Sequence, residues 1–316
     1  MGRRSYEERG TGSTISLPLP VEGSTFASVM NLTGNLTPYF ELTKPRIVTM
    51  VLVTTALGFF VGGRGVDAPL RLALTLLGTA LSAGGSGVLN HYLERDVDAI
   101  MRRTRSRPLP MGQVTPAAAL SLGFALILAG QVVLVLGANL MTAWLALLTA
   151  FLYVVIYTPL KRSTWLNTSL GSIPGALPPV GGWAAATGQL DMGAWVLFAI
   201  LFAWQHPHFY AIAWIFREDY RRGGFKMLPV LEEDGRRTCR HILAFSVLLI
   251  TVSILPSLTG TAGTLYLVGT LILGAGMLAA GVSLTLTRTI PDARRLLRAS
   301  VIYLPLLLIL TVIDTI

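Results

Sequence analysis

The amino-acid sequence predicts an all-α integral membrane protein, a bundle of nine transmembrane helices with its N-terminus cytoplasmic and its C-terminus outside. Three observations predict it. Hydrophobic residues make up 53% of the 316 and charged residues only 13%, about half the 25% usual in soluble domains. Nine runs are apolar enough, and near enough to 20 residues, to cross about 30 Å of hydrocarbon as helices. Lys and Arg fall almost wholly in alternate connections, the bias that marks cytoplasmic loops. So little charge over so much apolar surface excludes a soluble enzyme and a chain disordered along its length.

In chain order, residues 1–37 are rich in Ser, Thr, Gly and Pro and read as a disordered cytoplasmic tail, and residues 38–316 read as one transmembrane domain. The apolar runs are 46–63, 70–90, 117–137, 139–158, 169–188, 192–216, 241–259, 263–287 and 297–315. The fifth carries Pro174, Pro178 and Pro179 among several glycines. Such a segment is tolerated only where neighbouring helices or a cavity satisfy the freed backbone groups, so it is expected inside the bundle. Of the 25 Lys and Arg, all but Arg64 and Arg71 then lie on the side of the N-terminus. The formal net charge of +9 is thereby explained by topology, and no nucleic-acid partner is expected. One cysteine, Cys239, excludes an intramolecular disulfide and a cysteine metal cluster. No apolar run closely follows the opening Met-Gly-Arg-Arg, which argues against an export signal. The tail carries Glu7, Glu8 and Glu22, unlike a transit peptide, so a bacterial cell (inner) membrane is the expected location.

Two long connections, after the second and sixth runs, hold most of the ionisable groups, and function concentrates on such loops. In the first, Asn90, Glu94 and Asp98 follow one another at four-residue spacing, within about 80° of one helix face. Such oxygen donors suit Mg²⁺, which binds through one or two carboxylates plus substrate phosphates, and Arg103 and Arg107 close behind suit the phosphates. The plainer reading of the same residues is a solvated loop whose charges pair with each other. In the second, Gln205, His206 and His208 interrupt an apolar run, where polar groups usually face the bundle interior. Glu218 and Asp219 follow at its cytoplasmic end. Hydrogen-bonded filler and a ligand-binding pair are both open for these histidines. Lys161 and Arg162 close the fourth run, where a basic helix end is expected on dipole grounds alone.

At these residues the chain resembles the UbiA-type intramembrane prenyltransferases, and among them the branch that farnesylates protohaem IX. The resemblance is carried by residues 90–109, by Tyr-Thr-Pro-Leu-Lys-Arg at 157–162, by Trp-Gln-His-Pro-His-Phe at 204–209, and by Arg-Glu-Asp-Tyr-x-x-Gly-Gly-x-x-Met-Leu-Pro-Val at 217–230. It implies a nine-helix UbiA-like bundle that moves a farnesyl group from farnesyl diphosphate to a vinyl group of haem B. Water adds in that reaction, and haem O and diphosphate are the products. It implies Mg²⁺ on Asn90, Glu94 and Asp98, diphosphate on Arg103, Arg107 and Lys161, and haem near His206, His208 and Arg162. Glu218 and Asp219 stand where the superfamily has its second acidic motif, and a haem A synthase is an implied neighbour. Two departures stand out. Glu94 replaces the usual Asp, and the second motif lacks the paired Asp-x-x-x-Asp of quinone-type members. Three other readings stay open at this point: a transferase acting on an aromatic quinone precursor, a transporter gated at the proline-broken run, and a haem-binding assembly protein without catalysis. Against the transporter, no inverted repeat is evident and the ionisable groups gather at one face.

Overall fold

The computed structural model describes residues 36–314, so the expected tail lies outside the described residues as far as residue 35. Its regular structure is helical: α1 (Thr37–Leu42), α2 (Pro45–Gly63), α3 (Pro69–Ile100), α4 (Pro116–Gly137), α5 (Leu140–Leu160), α6 (Asn167–Ala176), α7 (Pro178–Thr187), α8 (Met192–Ile215), α9 (Arg217–Arg222), α10 (Leu228–Leu231), α11 (Arg236–Leu258), α12 (Thr264–Thr287) and α13 (Ile290–Asp314). Among the described residues, eight of these helices are long and apolar enough to cross a membrane. They match eight of the nine apolar runs.

Local sequence explains the ends. Helices α2, α3 and α4 each begin with proline at the first position, where its missing N–H costs nothing and its φ is already helical. Thr115, Asn139 and Asp191 cap α4, α5 and α8 by accepting a backbone N–H from two or three residues on. The fifth run is not one helix but two of ten residues, α6 and α7, meeting at Leu177. Pro178 and Pro179 lack the N–H groups that would bond back to Pro174 and Gly175, so the helix breaks there. Its interior is buried, as expected of a broken helix: Ala176, Leu177, Val180, Ala184 and Ala185 are all shielded.

The architecture serves one long helix. At 32 residues α3 is about 48 Å long and outruns a hydrocarbon layer of about 30 Å. Its last turns therefore carry Asn90, Glu94 and Asp98 to a membrane boundary. Helix α3 packs on α4, α2 packs on α7, and α8 is gripped by α6, α11 and α13. Where α2 meets α7 the backbones touch. A β-carbon on Gly58 would lie 1.9 Å from the Pro179 carbonyl oxygen, and one on Gly182 would lie 1.9 Å from that of Thr55. Small residues at membrane helix contacts allow this approach. Substituting Gly182→Val should force α7 off α2 and lower stability by about 1–3 kcal/mol, the usual range for overpacking. Thermal unfolding in detergent checks it, and an unshifted midpoint would mean the two backbones are not in contact.

Candidate active site

The end of α3 builds the site. Asn90, Glu94 and Asp98 share one face and are all more than nine-tenths buried. Each meets a cation from a different segment. Lys44, just before α2, donates to the Asn90 side-chain oxygen and to the Tyr153 hydroxyl at 3.3 Å. Lys161, just after α5, donates to Glu94 at 2.8 Å. Arg107 reaches both oxygens of Asp98, at 2.8 and 2.7 Å. Asn90 also donates to the Thr158 hydroxyl at 2.8 Å, and that hydroxyl in turn donates to the Tyr153 carbonyl.

Three local features hold these groups. Lys44 has φ 56° and ψ 58°, a left-handed conformation that costs a non-glycine residue about 1–2 kcal/mol. It precedes Pro45, which disfavours the right-handed helical alternative, and strain of this kind gathers at functional sites. Residues Leu152–Tyr157 of α5 are wound as a π-helix, a feature frequent at such sites, and they place Tyr153 and Tyr157 beside the cations. The Lys161 ammonium sits 4.6 Å from the Tyr157 ring centre. The loop bearing Arg107 is fixed by Asp219, whose carboxylate accepts the backbone N–H groups of Arg102 and Arg103 at 3.2 and 3.0 Å. Arg103 lies over the rings of Phe216 and Tyr220.

These residues open on one cavity of about 660 Å³. Its lining includes five cationic side chains, Lys44, Arg46, Arg103, Arg107 and Lys161, against two carboxylates, Glu94 and Asp98. Away from them the wall turns apolar, with Leu145, Ala150, Leu177, Leu304 and Leu308. Such a chamber suits an amphipathic ligand with a multiply charged anionic end. Burial, and then the charge of Lys161, lower the pKa of Lys44 from 10.5 to about 7. Burial also works against the charge of Lys161, but Glu94 and then Tyr157 and Tyr153 outweigh it and hold its pKa above the ordinary value.

The sequence-predicted residues divide. Asn90, Glu94, Asp98, Arg103, Arg107, Lys161 and His208 line the cavity. His206 does not. Its Nδ1–H donates to the Phe202 carbonyl at 2.8 Å, its Nε2 accepts from the Ser169 hydroxyl at 3.0 Å, and its ring stacks on Phe245. Both of its ring nitrogens are thus engaged by protein groups. Arg162 is exposed at a separate pocket of about 510 Å³ that shares Glu94 and Thr158 with the site. Glu218 is exposed and pairs with Arg221 and Arg222. Neither Glu218 nor Asp219 lines the cavity; Asp219 holds the Arg102–Arg103 backbone instead of joining the ladder. Among the described residues no three His, Cys, Asp or Glu converge as a self-sufficient metal site. Lys44 and Tyr153 are the residues missed in the sequence, and Tyr157, which opens the motif at 157–162, had no role assigned to it there.

The model of the UbiA prenyltransferase family matches residues 51–304. The protoheme IX farnesyltransferase of Solibacter usitatus (strain Ellin6076) is 48% identical over 286 residues, covering 87% of this chain and 98% of its own. Among solved structures, a digeranylgeranylglyceryl phosphate synthase matches with a TM-score of 0.74 at 17% identity, over 88% of this chain and 98% of its own. A UbiA homologue from Archaeoglobus fulgidus bound to DMAPP and Mg²⁺ matches with a TM-score of 0.60 at 16% identity, over 86% and 98%.

The state of Lys44 carries a pH prediction. Its depressed pKa means that the ligand-free side chain is charged below about pH 7 and neutral above. A bound anion favours the charged form, so binding takes up a proton above that pH and affinity falls as pH rises. Calorimetric titration with inorganic diphosphate should show a steeper loss between pH 7 and pH 9 in the wild type than in Lys44→Arg, whose charge is permanent. Parallel curves would exclude Lys44 from the anion site.

Proposed function

We propose that this chain, which belongs to the UbiA prenyltransferase family, transfers the farnesyl group of farnesyl diphosphate to a vinyl group of haem B. Water adds to the product, giving haem O and diphosphate. The observation that carries the reading is the buried ladder of Asn90, Glu94 and Asp98, faced by Lys44, Lys161 and Arg107 at the head of an apolar cavity. The 48% identity to a protoheme IX farnesyltransferase along nearly its whole length supports the acceptor.

The residues account for the chemistry. Oxygen-only donors, two carboxylates and an amide, fit Mg²⁺ shared with a diphosphate, and the ladder residues would hold it. When bound, such an ion supplies Lewis-acid neutralisation of the leaving diphosphate. Lys161 and Arg107, paired with carboxylates in the free protein, are positioned to turn to phosphate oxygens, with Arg103 and Lys44 beside them. Fixed cations there stabilise charge that develops as the carbon–oxygen bond breaks, which is where they lower the barrier. The apolar wall keeps water from the allylic cation until it meets the acceptor. His208 is the histidine left facing a haem in this cavity, and Arg162 is left for an anionic group such as a propionate at the adjoining pocket. With α6 and α7 counted as one passage, the chain crosses a bacterial cell membrane nine times from a cytoplasmic N-terminus, a topology supported by the placement of Lys and Arg.

The test is an assay of purified protein with haem B, farnesyl diphosphate and Mg²⁺, followed by mass spectrometry of the extracted haem. The wild type should yield haem O. Asp98→Ala should lose at least about 100-fold in rate, as removal of a transition-state contact does, while still binding haem. Chelating the metal should abolish product. Haem bound by the wild type without turnover would favour a non-catalytic haem carrier. No haem binding at all would point to quinone-type acceptors.

A further inference from the structure

On the cavity wall, α8 presents two side chains whose donors are already committed and whose remaining polar atoms accept. Gln205 is buried and lines the cavity. Its Nε2 donates to the carbonyls of Ser172 and Leu201, both at 3.1 Å. Carbonyls accept only, so both amide hydrogens are committed and Oε1 is left without a protein partner. Gly175 leaves room for it, since a β-carbon there would lie 2.1 Å from that oxygen.

His208, three residues on and so on the same side of the helix, also lines the cavity. Its Nδ1 lies 2.8 Å from the Ser300 hydroxyl. That hydroxyl has one hydrogen, and it goes to the Leu297 carbonyl at 2.7 Å. Nδ1 must therefore carry the proton and donate, which leaves Nε2 as a bare lone pair. Trp204 braces the ring by stacking at 4.7 Å, with its own N–H fixed on the Ser300 carbonyl at 2.8 Å. Two acceptors three residues apart on one helix, both on residues that line the cavity, match a molecule that brings two hydrogens.

We propose that Gln205 and His208 hold the water that completes the reaction, and that His208 takes its proton; this rests on the farnesyl-transfer reading above. As the bond from farnesyl C1 to diphosphate breaks, its electron pair leaves with the diphosphate. The terminal vinyl carbon then bonds C1, and positive charge settles on the vinyl carbon next to the porphyrin ring. Water held through both hydrogens turns an oxygen lone pair toward that carbon. The carbon–oxygen bond forms, one O–H bond breaks, and the proton passes to Nε2 of His208, its electron pair staying on oxygen. Without the held water, the cation instead loses a carbon-bound proton and gives a farnesylated haem lighter by one water.

The experiment uses the full-length protein in detergent with haem B, farnesyl diphosphate and Mg²⁺ in isotopically labelled water. Mass spectrometry counts hydrated and dehydrated farnesyl haem, and the absorption spectrum reports the bound iron. The hydrated-to-dehydrated ratio should fall about 100-fold in His208→Gln, the lower end of what a positioned general base supplies. Gln205→Leu and Ser300→Ala should move it the same way by less, and these two decide the matter where His208→Gln does not fold. An unchanged ratio in the variants overturns the proposal. So does a spectral change in His208→Gln with the ratio intact, which would make His208 an iron ligand. Failure of the wild type to farnesylate haem at all would overturn the reading of function instead.

Discussion

Three acceptors on one face of α3, each met by a cation from a different part of the chain, hold the remainder of the site in place. Ionised groups this far from water are costly, and their mutual attraction offsets the cost only with close geometry and full hydrogen bonding. The Asp98–Arg107 and Glu94–Lys161 pairs meet that demand at 2.7 and 2.8 Å, and Lys44 on Asn90 completes the row. Because the partners come from the start of α2, the loop after α3 and the end of α5, the same contacts that neutralise the ladder also tie three segments to one helix. Truncating one member of a buried pair typically costs 3–5 kcal/mol, since it strands the other charge. Stability and function are therefore not separable at these positions, and a lost activity there needs a folding control beside it.

The surplus of cations gives this arrangement its direction. Each carboxylate already has a partner, so Lys44, Arg46 and Arg103 remain to draw an anion into the cavity. Pairing in the free protein also keeps the long side chains ordered, which reduces the entropy a diphosphate must remove when it binds. Asp219 contributes from outside. By holding two backbone N–H groups of the Arg102–Arg103 corner it fixes where the loop stands without touching the cavity. An acidic residue with this task looks, in sequence, the same as one that binds metal.

That difference explains what was legible and what was not. The ladder could be read because helix periodicity converts four-residue spacing into a shared face, and Arg107 because it follows close behind that ladder; Lys161, a basic helix end expected on dipole grounds alone, took its role only from the resemblance. The spans were readable from hydropathy, down to the weakness of the fifth, whose prolines break it at Leu177. Lys44 was hidden because cytoplasmic ends of spans collect Lys and Arg for topological reasons, and one more carries no mark of its chemistry. The π-helical stretch Leu152–Tyr157 has no composition to distinguish it from the helix around it. The partner of Asp219 is backbone, which every residue supplies. For the histidines the spacing held half the answer. Positions two apart on a helix point about 200° apart, so His206 and His208 could not both face one cavity. Which of them does depends on where Ser169, Phe245 and Ser300 fall in the folded bundle.

Two parts of the cavity wall, one on α3 and one on α8, follow opposite chemical rules, and a reaction through a carbocation requires both. At the α3 end, positive groups predominate and pull electrons toward a departing anion. A free lone pair there would capture the allylic cation too early and give an alcohol. On α8, Gln205 and His208 offer lone pairs and no positive charge, which a cation tolerates and a diphosphate does not. The separation is enforced by the chain: α3 must overrun the membrane to bring its ladder to the boundary, and α8 must carry its polar residues inside the bundle. A single helix presenting both sets would place the base beside the leaving group. Carrying the two sets on different helices keeps the proposed base off the helix face that receives the leaving group.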